Sequence, residues 1–123
     1  MNKKEMAISF LKMAGSGDVK NAYGRFVSPK FIHHNLHFKG DRKALMSAME
    51  EAAKQSPNKK IEVKQIFEDG NSVITHSCVI RENPAEPQIS VVHIFKFEDD
   101  RVVELWDIGQ LIDKNSPNEN GAF

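Results

Sequence analysis

A chain of 123 residues has the length of one domain, and its 17 basic and 17 acidic residues cancel. Without a basic surplus it lacks what general nucleic-acid or anionic-membrane binding draws on. A single cysteine, Cys78, excludes an internal disulfide and a Cys-only zinc site, and the apolar runs fall far short of the ~20 residues a membrane helix needs.

Lys3-Lys4 ahead of Met6 to Leu11 has the outline of a signal peptide. Glu5 and Lys12 bracket that run and no clean small-residue cleavage site follows, so it reads as a helix face in a cytoplasmic protein. Asn2 to Glu5 has the form of a capping box, and Met6, Ala7, Phe10, Leu11, Met13 and Ala14 recur at helical spacing. Gly15-Ser16-Gly17 ends this helix. Asp18 can cap a second one through Val19, Ala22, Tyr23 and Phe26, which Ser28-Pro29 breaks. Gly40-Asp41 opens a third, with Leu45, Met46, Ala48, Met49, Ala52 and Ala53 as its apolar face, closed by Ser56-Pro57-Asn58.

Beyond residue 58 the period changes to 2. Ile61 to Phe67 reads as a strand, Glu68-Asp69-Gly70-Asn71 as a turn, and Val73 to Ile80 as the returning strand. A polar loop with Pro84 and Pro87 follows, then a hairpin of Ile89 to Phe97 and Arg101 to Gly109, then a loose tail from Asn115. The whole chain, 1–123, reads as one α+β domain: three N-terminal helices packed on a curved antiparallel sheet, with a cone-shaped cavity between them.

In the last hairpin the odd positions Ile89, Val91, His93, Phe95 and Phe97 face Val103, Leu105, Asp107 and Gly109 as two apolar rows. Each row is interrupted by one ionisable residue, His93 or Asp107. A three-residue loop, Glu98-Asp99-Asp100, with Asp100 left-handed would pair Phe97 with Arg101 and put both rows on the concave face. A two-residue loop would send His93 and Asp107 to opposite faces. A carboxylate among Leu105, Val103 and Phe95 loses hydration, which raises its proton affinity and suits it to general acid–base work. The alternative is an Asp107 paired with a core His or Arg, or facing solvent, and a His93 that is a satisfied core residue.

His76 repeats the theme one strand earlier, in a strand whose two rows do not reveal which side it faces. His33 and His37 in His33-His34-Asn35-Leu36-His37 have the i, i+4 spacing of a helical metal pair. The acid that completes such a motif is absent, so this segment reads as a loop at a pocket mouth and no metal is assigned. Met46 and Met49 are core fillers or an adaptable ligand wall. Lys59-Lys60 and Asp99-Asp100-Arg101 read as solvated turn charges, and Cys78 as an inert buried thiol.

Phe31 to Asn35, Gly40-Asp41-Arg42, Val92 to Phe97, Val103 to Gln110 and Ser116 to Gly121 resemble the SnoaL-like family of polyketide-cyclase relatives, in the nuclear transport factor 2-like superfamily. The resemblance spans nearly the whole chain. It implies an α+β cone with a deep apolar cavity and a homodimer built through the outer sheet face. It also implies an aspartate, matching Asp107, that serves as acid/base of an aldol closure without metal, Schiff base or other cofactor. The histidine that accompanies it matches His93, and His33, His34 and Asn35 match a pocket-entrance segment. The expected ligand is a small apolar carbonyl compound. Its candidate contacts are His33, His34, Asn35, Phe38, Met46, Met49, His76, Leu105 and Trp106, although the parity of Trp106 faces away from Asp107. A ligand-binding or dimerisation module without turnover, or a dehydratase or isomerase, would use the same cavity.

Overall fold

The computed structural model describes residues 1–123. Helix α1 (Lys3–Gly15) opens through the expected capping box: Asn2 Oδ1 accepts the Glu5 amide at 2.8 Å, and Glu5 Oε1 accepts the Asn2 amide at 3.3 Å. Helix α2 (Val19–Phe26) starts after Asp18, whose side chain accepts from Asn21 instead of capping a backbone amide. The chain then passes straight into β1 (Val27–His33), a strand the sequence reading did not foresee. Pro29 does end the helix, but β1 lies at a sheet edge, where a residue without an N–H costs no ladder bond. Helix α3 (Arg42–Gln55) follows, and only Leu45 of its apolar face is fully buried.

Four strands complete the chain: β2 (Lys60–Asp69), β3 (Ser72–Ile80), β4 (Ile89–Glu98) and β5 (Arg101–Leu111). The sheet order is β1-β5-β4-β3-β2, antiparallel except for the parallel pair β1–β5. Gly70, at φ +58°, supplies the left-handed residue of the β2–β3 turn. The helices cover one face of the sheet. Phe10 sits edge-on to Tyr23 at 5.4 Å and to Phe95 at 6.0 Å, tying α1 to α2 and to β4. No helix is long and apolar enough to cross a membrane.

The β4–β5 hairpin decides what the inner face carries, and it differs from the expected three-residue loop. Asp99 and Asp100 are both left-handed, at φ +51° and +60°, and form a two-residue turn that pairs Glu98 with Arg101 and Phe97 with Val102. The register then shifts: Lys96 pairs with Glu104, leaving Val103 as an unpaired bulge. Beyond the bulge His93 lies directly opposite Asp107, on one face. The extra residue that the sequence reading put into the loop sits in the ladder. Consequently Val102, at 1% exposure, takes the core position expected for Val103. A similar shift around Lys64 explains why the inner row of β2 runs Ile61, Val63 and then Ile66.

Candidate functional site

A cavity of about 610 Å³ opens between α1, α3 and the concave face of the sheet. Its walls are mostly apolar, with Leu11 and Ala14 from α1, Met49 from α3, and Ile61, Val79 and Val91 from the strands. His93 and Asp107 line it from neighbouring strands. Asp107 keeps 22% of its side chain exposed and His93 12%, so both sit on the wall and not inside the core.

The carboxylate is held from one side. Asn35 Nδ2 donates to Asp107 Oδ2 at 2.8 Å. His93 Nε2 stands 3.5 Å from Oδ1, close enough for charge coupling but long for a strong hydrogen bond. Burial holds the imidazole of His93 below its ordinary value of 6.5, and the adjacent Asp107 carboxylate opposes that without reversing it. Its Nδ1 is buried without a partner. At neutral pH the His93 ring is therefore neutral, beside the Asp107 side chain on the cavity wall.

Asn35 reaches Asp107 because β1 runs parallel to β5, so the loop after His33 leaves the sheet beside Leu105. His33 fixes that loop from beneath. Its Nδ1 accepts the Asn35 amide at 3.1 Å, while Nε2 lies 2.7 Å from the Lys39 carbonyl and must carry the proton. Both ring nitrogens are thus engaged within the loop. His37 lies beyond the strand end, so the helical spacing considered for a metal pair is not formed, and no cluster of three or more His, Cys, Asp or Glu is placed to hold a metal. His34 turns the other way, with Nε2 2.7 Å from Glu104 Oε2 and its ring stacked on Trp106 at 4.6 Å.

The proposed contacts separate cleanly. Asp107, His93, Asn35 and Met49 line the cavity; His34 borders it, but its ring is stacked on Trp106, and His33 lies buried behind the loop. Leu105 is core, Met46 packs against the core, and Phe38 is an exposed residue of the loop. None of these three lines the cavity. Trp106 lies on the outer face, as its parity indicated, beneath His34 and Lys96. His76 is also outside: it pairs with Val92, lies 2.9 Å from Ser90 Oγ, and packs against the Phe123 ring at 4.9 Å. The inner positions of β3 belong to Val73, Thr75 and Ser77, all fully buried. Cys78 is outside too, and burial pushes its thiol pKa up, away from the reactive thiolate.

Two features lay outside the sequence reading. The phenol of Tyr23 is buried, donates to Met49 Sδ at 3.2 Å, and is pushed well above its ordinary value of 10 by burial. Lys59, taken for a solvated turn charge, is half-buried and lines the cavity together with the exposed Lys60. Burial holds its ammonium below the usual lysine value, and nearby Arg81 adds to that. The available clue was its position two residues before Ile61, an inward residue at the start of a strand.

The model of the SnoaL-like domain family matches residues 8–105. No curated protein is significantly similar in sequence. Among solved structures, AclR from Streptomyces galilaeus, described as a candidate hydroxylase, superposes with a TM-score of 0.76 at 20% identity, covering 88% of this chain and 78% of its own. An uncharacterised cystatin-fold protein from Novosphingobium aromaticivorans gives 0.73 at 21% identity over 88% and 98%. A candidate polyketide cyclase from Acidithiobacillus ferrooxidans gives 0.71 at 17% identity over 89% and 92%. At such identities the likeness establishes the shared cystatin-like, or NTF2-like, fold.

Proposed function

The chain belongs to the SnoaL-like domain family, and on that footing we propose that it is a cofactor-independent cyclase or lyase performing aldol-type acid–base chemistry on a small, mostly apolar carbonyl compound. The observation that carries this reading is Asp107 on the wall of an apolar cavity, anchored by Asn35 through Oδ2 and with Oδ1 3.5 Å from a neutral His93. Asp107 takes a proton from a carbon between two carbonyls, giving an enolate and the neutral acid. The enolate carbon attacks an aldehyde or ketone, and the same acid returns its proton to the new alkoxide. No net proton is gained or lost. His93 either donates a hydrogen bond to the enolate oxygen or holds the carboxyl in place. The reading includes a homodimer across the outer sheet face, where Phe67 and Trp106 would be covered.

Asp107→Asn removes the base while keeping shape and the capacity to meet Asn35. On a panel of β-dicarbonyl compounds and polycyclic ketones it should lower turnover by about 10²–10⁴-fold and leave ligand affinity nearly unchanged. Ligand binding with no Asp107-dependent turnover would replace the enzyme with a binding module.

A further inference from the structure

The cavity is electrically lopsided. Two rows cross the sheet beneath it: Ile66, Thr75, His93 and Asp107 form one, and Ile61, Val79, Ile89 and Leu111 the other. They lie four residues apart along each of β4 and β5, roughly 13 Å at ~3.3 Å per residue. Lys59 lies just beyond the second row and on the far side of the sheet from β5, so the backbones of Lys59 and Asp107 are roughly 20 Å apart along the sheet. The single acid of the lining is therefore at one end, and Lys59 with Lys60 is at the other.

Nothing in the protein neutralises that second end. The Lys59 ammonium makes no ion pair or side-chain hydrogen bond. The acids nearby are already engaged: Glu86 pairs with Arg81 at 3.1 Å, and Glu82 accepts from Asn58 at 2.7 Å. A half-buried cation among apolar residues gains most from a partner that itself arrives in the cavity.

We infer that the ligand carries a carboxylate at the end remote from its reacting carbonyl, and that Lys59, assisted by Lys60, receives it. The site would thus select amphipathic keto acids over their neutral esters, with the apolar stretch of the ligand along Leu11, Ile61 and Val91. This deepens the proposed function and rests on its reading of the cavity as the ligand site.

The test is a fluorescence titration of the full chain with 2-naphthoate and with methyl 2-naphthoate, a charged and a neutral probe of nearly one shape. Wild type should bind the carboxylate about tenfold more tightly than the ester. Lys59→Gln should abolish that preference while keeping the affinity for the ester, which also reports that the cavity is intact. Asp107→Asn should keep the preference, so a failure of the proposed chemistry would show in turnover and leave this result standing. Equal affinity of wild type for both probes, or a preference that survives Lys59→Gln, overturns the inference. Failure of both probes to bind at millimolar concentration overturns it together with the reading of the cavity.

Discussion

His93 and His76 occupy adjacent strands one residue out of step, since Thr75 is the partner of His93 and Val92 the partner of His76. That single step separates two chemistries. Outside, His76 meets Ser90 and the Phe123 ring and is spent on holding the surface together. Inside, His93 has a buried Nδ1 without a partner and an Nε2 aimed at a carboxylate 3.5 Å away. A ring whose hydrogen bonds are filled stabilises, and one left with open capacity beside a charge can act on a third molecule.

Exchanging Trp106 and Asp107 moves the carboxylate to the outer face and should break the contrast most severely. We expect loss of all Asp107-dependent turnover, with destabilisation of about 1–3 kcal/mol from forcing an indole into the cavity wall, read by urea unfolding. Asn35→Ala leaves the acid inside but unanchored; a hydrogen bond to a charged group is worth about 1.5–3 kcal/mol, so turnover should fall by about 10- to 100-fold. His93→Phe sharpens the comparison through pH. Burial lowers the folded-state pKa of His93, so the unfolded chain takes up the proton first. Stability is therefore full above the ordinary value of 6.5 and is lost as pH falls from there toward the folded-state value. Melting temperatures measured across that acid range should decline in wild type and decline less in the variant. His76→Phe should be the mildest, within about 0.5 kcal/mol of wild type and without effect on turnover.

Much of this was legible in the sequence. The capping box of Asn2 and Glu5, the change of period after residue 58 and the alternation around His93 and Asp107 are local signals, and local physics honours them. The facing of His93 and Asp107 is more instructive. The two residues share a face whether the extra residue sits in the turn, as expected, or at Val103 in the ladder, as found. Counting residues settled the face without settling the turn, whose two left-handed aspartates the single-residue expectation missed. What the sequence hid depends on distant partners. β1 is a strand only because β5 offers an edge, Asn35 matters only because that pairing is parallel, and Lys59 is half-buried only because the helices close over the start of β2. His76 shows the complementary failure, since the outer row Ile74, His76, Cys78 and Ile80 is no more polar than the inner row Val73, Thr75, Ser77 and Val79, and the sequence carries no periodic mark of the inner side.

The parallel pairing of the first strand with the last also sets when the site can come into being. Asn35 and Asp107 are 72 residues apart in the chain, and the contact between them closes a long loop that the site requires. A ribosome-bound nascent chain that ends before β5 can assemble helices and a hairpin, yet lacks Asp107 and the contact that anchors it. Contacts of such long sequence span form slowly, so ligand capture would report the completion of folding and stabilise only the finished chain.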